Sequence, residues 1–481
     1  MYLELDGQGP RYAQLIRSLK GAILEARLAA GARLPATRAL ADELGVSRNT
    51  VMIAYEQLVA EGFAVSQVGA GTFVTSCARR TTVDFRPSGR TIAAQSRFAA
   101  RARENWQTNV TRRHIGLRYN LSYGIPLTDS RLAAAWRQAV SRAVVNNSFD
   151  YTGARGQRSL REAICDYLAL RRGISTRSDN VLVVSGAQQA FDLTARVLLN
   201  EDDSVVLEDP GYFGSRQVMQ AHGAAIQFVS VDNEGLRCED LPTDGTKLVC
   251  VTPSHQFPSG AVLSLERRLE LLQYATKHDA WIVEDDYDGE FRYDSKPLAA
   301  LRSLDDNDRV IYVGSFSKIL FPALRLGYIV VPEALKFDFK AAKWNADLGS
   351  PAVEQIALAN LMQSPSFDKR LRSAKRTLKA RRNALIRGLR RYAGDHVDIV
   401  DTPAGMHTVV WLRNCRESDC DNLIALASQR SLGLYAIKPH YAGRPPRPGL
   451  LLGYAGLSPA DIDDAMRILG ECLDAVLPST N

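Results

Sequence analysis

The chain has 481 residues, 46% hydrophobic and 23% charged, a balance that excludes wholesale disorder and leads us to expect about three folding units, or one small and one large. No apolar run reaches the ~18 residues of a membrane helix, the N-terminus lacks a signal-peptide core, and seven scattered cysteines without a CxxC or Cys/His cluster disfavour a disulfide framework or a zinc site and fit a reducing cytoplasm. Formal net charge is +7, and the excess is local: residues 79–118 hold ten arginines against Asp84 and Glu104.

Residues 1–78 carry the first helical signals. Leu15, Ile16, Leu19 and Ile23 recur at helical spacing. Gly31 and Pro35 break the chain, Thr37 is placed to cap a short helix ended by Gly45, and Ser47 is placed to cap a second helix running to about Gly62. Two short helices around the tight turn at Gly45 predict a helix-turn-helix. FAVSQVGAGTFVT then reads as two strands around a Gly-rich tip, a β-wing. The second helix opens with Ser47, Arg48, Asn49 and Thr50, polar residues at the end that a recognition helix presents to the major groove. Arg38 begins the preceding helix, in position to clamp phosphate or a base, whereas Val51, Tyr55 and Leu58 read as core.

Residues 79–118 are rich in Arg, Thr, Ser and Ala and weak in periodicity, and read as a linker. It is either a solvated tether or a segment touching phosphate backbone. From 119 to 481, short β-branched runs such as VLVVS, SVVLEDP, KLVCVTP, AWIVEDD and RVIYVGS alternate with helical patterns. This is the pattern of an α/β fold with a mostly parallel sheet.

Chemistry-bearing residues cluster at the ends of those runs, where α/β sheets build their sites. Lys318, in Ser315-Phe-Ser317-Lys318, is placed for Schiff-base chemistry with an aldehyde cofactor. Ser185-Gly186-Ala187-Gln188 leaves a strand and opens a helix, an anion site suited to a phosphate. A buried Asp285 would hold a pyridine nitrogen protonated, and Tyr212 would stack on the ring. Taken singly, each has an ordinary alternative: a loop carboxylate, a core tyrosine, a solvated lysine.

LPATRALADELGVSRNTVMIAYEQLVAEGF…GAGTFV resembles the winged helix-turn-helix of the GntR family of bacterial transcription regulators over about residues 8–76. The resemblance implies DNA contacts from Arg38, Ser47, Arg48, Asn49, Thr50 and the wing at Gly69 to Gly71. From about Asn120 onward the chain resembles fold-type I pyridoxal-phosphate enzymes of the aspartate aminotransferase group. That implies pyridoxal 5'-phosphate as a Schiff base on Lys318, with Arg325, Ser315, Ser317, Ala187 and Gln188 at its phosphate. It also implies Tyr212 on the ring face, Asp285 on the ring nitrogen, Tyr287 near the ring hydroxyl, and Tyr151 reaching the neighbouring subunit's phosphate in a head-to-tail homodimer. Two departures stand out. Phe257 replaces an Asn of the family's N-P-T-G element, and the usual carboxylate-binding Arg is not in register, leaving Arg447 as the nearest substitute for binding an effector.

Together with Thr252-Pro-Ser-His255-Gln-Phe257-Pro258 and Gly405-Met406-His407, the two halves resemble the MocR subfamily of GntR regulators. The resemblance implies a cytoplasmic, pyridoxal-phosphate-dependent regulator that binds double-stranded operator DNA and no membrane. An amino compound or the cofactor itself would shift its DNA-binding state. The alternatives are an active aminotransferase that carries a DNA-binding domain, and a repressor that has lost the cofactor.

Overall fold

The computed structural model describes residues 3–76, 95–106, 116–127, 130–145, 150–293 and 298–477. They fall into two compact units, Met1–Ala94 and Gln95–Asn481.

In the first unit α1 (Arg11–Leu24), α2 (Thr37–Leu44) and α3 (Arg48–Ala60) enclose a core of Leu15, Leu19, Ile23, Leu40, Val51, Tyr55 and Leu58. Gly45 ends α2 in the left-handed region, φ +62°, where glycine carries no Cβ penalty. The Ser47 hydroxyl caps α3 by accepting from the Thr50 amide at 3.1 Å. The cap expected from Thr37 is not made. Ala36 is the N-cap of α2, Thr37 is its first helical residue, and the Thr37 hydroxyl instead lies 3.4 Å from Arg48 Nε. The wing is an antiparallel pair, β1 (Ala64–Gln67) and β2 (Gly71–Val74), turned by Gly69 at φ +78°.

Of the expected linker, residues 79–94 and 107–115 lie outside the described residues. The stretch between them is ordered and carries contacts. Helix α4 (Arg97–Glu104), capped by the Ser96 hydroxyl, packs along the helix Phe213–His222 of the large unit. Its arginines spend their charge locally: Arg97 and Arg101 bind Glu201 at 2.9 and 3.1 Å, and Arg101 Nε donates to the Ala221 carbonyl at 3.1 Å.

The large unit is built on eight strands: β3 (Val181–Val184), β4 (Ser204–Asp209), β5 (Ala225–Asp232), β6 (Gly235–Leu236), β7 (Thr246–Val251), β8 (Trp281–Asp286), β9 (Val310–Ser315) and β10 (Gly327–Val330). Their order is β3-β10-β9-β8-β7-β4-β5-β6. β10 runs antiparallel to both its neighbours and β6 antiparallel to β5; the other pairs are parallel. Helices cover both faces. In β3, Val181 and Val183 enter one core while Leu182 and Val184 enter the other, which is why the strand is apolar at every position. A smaller antiparallel sheet, β11 (Val397–Ile399), β12 (His407–Leu412) and β13 (Gly449–Gly453), packs with the helices Pro365–Tyr392 and Pro459–Val476 around a third core. Among the described residues no helix is long and apolar enough to cross a membrane.

The core of the first unit draws only on residues 3–74. Leu58 is fully buried in it, so Leu58→Ala should cost about 2–4 kcal/mol. Calorimetry of the full chain should then show the transition of the first unit falling while that of the large unit stays in place.

Candidate functional site

Two surfaces gather the chemistry. On the first unit, Arg38, Ser47, Arg48 and Asn49 are exposed and Thr50 is half-buried, all at the start of α2 and α3. The Ser47 and Thr50 hydroxyls hold each other at 2.8 Å, which fixes the first turn of α3. Sequence reading missed Arg33. Its guanidinium lies against the wing, where a Cβ on Gly71 would come within 2.9 Å of Arg33 Nε, so the exposed cation and the wing tip form one face.

On the large unit a cavity of about 640 Å³ opens at the C-terminal ends of β3, β8 and β9. Alternation along β8 sorts three consecutive acids. Glu284 accepts from the Leu301 and Arg302 amides at 2.8 and 2.9 Å. Asp286 pairs with buried Arg172 and the Tyr312 hydroxyl. Asp285, between them, faces the cavity. Its Oδ1 is buried with no hydrogen-bond partner. Burial, then repulsion from Asp286, Glu208 and Asp288, raises its carboxyl to about 7, with Lys318 pulling the other way.

Lys318 lies across the cavity in the turn after β9, and its Nζ donates to the Gly124 carbonyl at 2.6 Å. Burial pushes its ammonium down from the ordinary lysine range against the opposing pull of Asp288 and Asp285, which favours the neutral, nucleophilic amine. Gly186, φ +81°, caps the helix Ala187–Leu198, and a Cβ there would lie 3.2 Å from the Arg325 guanidinium. Arg325, itself at φ +50°, also donates to the Ser185 carbonyl. The helix start, Ser315, Ser317 and Arg325 thus form an anion cradle at one end of the cavity. Tyr212 packs its ring on Gly214, whose Cβ would fall 2.5 Å from the ring, and its hydroxyl is pushed up to about 12 by burial.

Every residue expected at the cofactor except Tyr151 lines this cavity: Ala187, Gln188, Tyr212, Asp285, Tyr287, Ser315, Ser317, Lys318 and Arg325. Tyr151 is 85% exposed and lies outside it. Arg447 also lies elsewhere. It pairs with Asp398 and stacks 5.5 Å from the Trp411 ring, committed to the small sheet rather than to a ligand. Phe257 projects only carbon into the site, its ring edge-on to Tyr287 at 5.7 Å. Gly124, which anchors Lys318, and Asp288 emerged only from the fold, which also gives His255, named above only within a motif, its place with Asp288 behind Tyr287.

Comparison with known proteins agrees with this division. Residues 11–74 match the family "Bacterial regulatory proteins, gntR family", and residues 119–469 match "Aminotransferase class I and II". The chain is 34% identical to the probable rhizopine catabolism regulatory protein MocR of Rhizobium meliloti, over 98% of this chain and 95% of that protein. It is 29% identical to the pyridoxine biosynthesis transcriptional regulator PdxR of Corynebacterium glutamicum, over 96% and 95% respectively. The structure of LysN, an α-aminoadipate aminotransferase from Thermus thermophilus complexed with N-(5'-phosphopyridoxyl)-L-leucine, superimposes with a TM-score of 0.71 and 27% identity, covering 80% of this chain and 98% of that one. With a DNA-reading winged unit ahead of an aminotransferase-type cavity, and a relative of this similarity along almost its whole length, the chain belongs to the MocR group of gntR-family transcription regulators.

Proposed function

We propose that the protein is a pyridoxal-phosphate-dependent transcription regulator whose large unit holds the cofactor at Lys318 and reports its state, or that of an amine bound with it, to the winged unit. The observation that carries this reading is Asp285 facing Lys318 across one cavity: a buried carboxylate oxygen without a partner, and a lysine whose ammonium burial disfavours. An orphaned buried acceptor is costly, and a protonated pyridine nitrogen is the donor that would satisfy it. Bound there, the cofactor supplies an aldehyde that links reversibly to amines and a ring that withdraws electrons. The chain does the rest. The cradle of Gly186, Ser315, Ser317 and Arg325 holds the phosphate, Tyr212 covers a ring face, and Asp285 keeps the ring nitrogen charged.

The effector is an amino compound or the cofactor itself. An entering amine competes with Lys318, whose Nζ is held by Gly124 in a segment that also lines the cavity. The helix Phe213–His222 gives the change a route outward. Tyr212 is its N-cap, and Phe98 and Arg101 of α4 clasp its last turn, the Phe98 ring 5.1 Å from His222. The segment leading from the winged unit is therefore anchored on the helix that begins at the cofactor face. A head-to-tail homodimer completes the reading, with exposed Tyr151 reaching the site of a second copy. The complete cofactor set keeps the enzyme reading alive as a rival.

Three outcomes are expected. Purified protein should turn yellow with pyridoxal phosphate, and borohydride reduction followed by peptide mapping should place the adduct on Lys318. Lys318→Ala should stay colourless while remaining folded, and the loaded protein should not convert amino acids to keto acids at roughly 1 per second or faster, a rate that would favour the enzyme. On operator DNA selected from a random pool, the protein should bind as two chains across two half-sites. There Arg48→Ala should cost about 1–3 kcal/mol and relax one base position, while Arg38→Ala should weaken all sequences alike and lower the salt slope by about one. Finally, Arg101→Ala and Glu201→Ala should leave the cofactor spectrum and basal DNA affinity intact but shrink the change in DNA affinity produced by pyridoxal phosphate or an amine, as read by fluorescence anisotropy.

A further inference from the structure

At the cavity wall Tyr287 belongs to a hydrogen-bonded trio whose other two members, His255 and Asp288, the reading above leaves without a role. His255 sits in the loop after β7, and Asp288 two residues beyond the end of β8. Their side chains are 3% and 1% exposed. His255 Nδ1 lies 3.0 and 3.1 Å from the two Asp288 carboxylate oxygens and 2.9 Å from the Tyr287 hydroxyl. Three oxygens thus surround one nitrogen.

Proton bookkeeping assigns the roles. A lone pair on Nδ1 would face a buried carboxylate at 3.0 Å, which is repulsive, so Nδ1 carries the proton and donates to Asp288. His255 Nε2 is buried without a partner, which costs less as a bare lone pair than as an unsatisfied N–H. With Nδ1 as donor, the Tyr287 oxygen accepts the second branch of the same N–H. Its own proton is then not used by His255 and is free to be donated into the cavity that Tyr287 lines. An oxygen that accepts one hydrogen bond is polarised to donate a stronger one.

Packing holds the ring in this pose. A Cβ on Gly405, φ +83°, would lie 2.2 Å from His255 Cε1, and one on Gly260 would lie 3.3 Å from Nε2. The His407 ring stands 5.5 Å away, its own Nε2 at 3.1 Å from the Pro258 carbonyl. Burial drives His407 down to about 3, so it adds shape and no charge. Other titratable groups around the trio are Asp285 and Asp286 on β8, Glu208 on β4, Lys318 across the cavity, and Arg292, Tyr293 and Tyr454 about Asp288. Phe257, on the neighbouring wall, offers Tyr287 a ring edge and the cavity no donor.

We propose that Asp288 and His255 are positioning residues that orient and polarise the Tyr287 hydroxyl as the hydrogen-bond donor to the ring oxygen of the bound cofactor, the polar contact that Phe257 does not provide. This rests on the cofactor reading above.

The test is a pH titration of the visible absorption of the full-length protein loaded with pyridoxal phosphate. A donor on the ring oxygen makes the chromophore less basic. Tyr287→Phe should therefore move the midpoint up, and His255→Leu should move it in the same direction by about one pH unit, a tenfold change in proton affinity. His255→Asn, which keeps a donor near the Nδ1 position, should move it less. In the Tyr287→Phe background His255→Leu should add nothing, because its effect passes through the hydroxyl. An unchanged midpoint in His255→Leu, or equal shifts in both backgrounds, would overturn the proposal. Should the leucine variant fail to fold, Asp288→Asn is compared in the two backgrounds. Its direct pull on Lys318 is common to both, so only a difference between them supports the relay, and equal shifts overturn it. A wild-type protein that stays colourless with the cofactor instead overturns the reading on which the relay rests, an outcome distinct from a coloured protein with an unmoved midpoint.

Discussion

Burial of the Asp285 carboxyl is the constraint around which the large unit is arranged. A carboxylate taken out of water without hydrogen bonds is unfavourable and drifts toward neutrality, and Asp285, raised to about 7 with Oδ1 unpartnered, sits at that edge. Its neighbours on β8 are acids whose oxygens are bound, Glu284 among them although burial pushes it up to about 7 as well. Glu284 takes two backbone amides, and Asp286 takes Arg172 and a tyrosine hydroxyl. The protein had the means to satisfy an acid at this depth and satisfied the flanking two. Leaving the middle one open toward a lysine is the mark of a site completed by something else.

The same constraint explains the weight of scaffolding behind the strand. Arg172, 1% exposed, holds Asp286 and the Ser254 hydroxyl together, the latter at 2.8 Å, tying β8 to the loop that carries His255. Removing one partner from a buried pair of this kind costs far more than the pair itself contributes. The worth of Arg172 is thus better described as fixing where Asp285 and His255 stand than as stability. Glu208, raised to about 7 by burial, is bound by Thr252 and Gln256 of the same loop. Two buried acids thus hold one loop from two strands, Glu208 directly and Asp286 through Arg172.

What the sequence disclosed follows from how local each signal is. Lys318 and Asp285 were legible because strand ends are visible as short apolar runs and strand ends face the site. The helix-turn-helix was legible because caps and glycines lie within a few residues of what they cap, although Thr37 was misplaced by one position, the usual margin for a helix start. Arg447 stands close to β13 in sequence, and its commitment to Asp398, 49 residues away, has no local sign. The trio of His255, Tyr287 and Asp288 spans 33 residues, and three oxygens meeting one nitrogen cannot be read from spacing. The helix Arg97–Glu104 within the Arg-rich segment was illegible for a different reason. Composition alone cannot tell a solvated arginine from one that clasps a helix end, as Arg101 does at Ala221.

That clasp also sets a condition on any regulatory account. A ligand shifts a two-state equilibrium only through contacts that differ between the states, and proximity of a site to a connecting segment is not coupling. The helix Phe213–His222 satisfies the geometric part with few residues. Its first turn rests on Tyr212 at the cavity wall, and its Ala221 carbonyl and His222 ring contact α4. A ten-residue helix is about 15 Å long, so a displacement of Tyr212 at one end would reach Arg101 through this single rod. Glu201, which binds both Arg97 and Arg101, closes the far end. On the proposed route the link that would give way is the ion-paired, solvent-facing one, where individual pairs are worth little, rather than the buried acids behind the cavity.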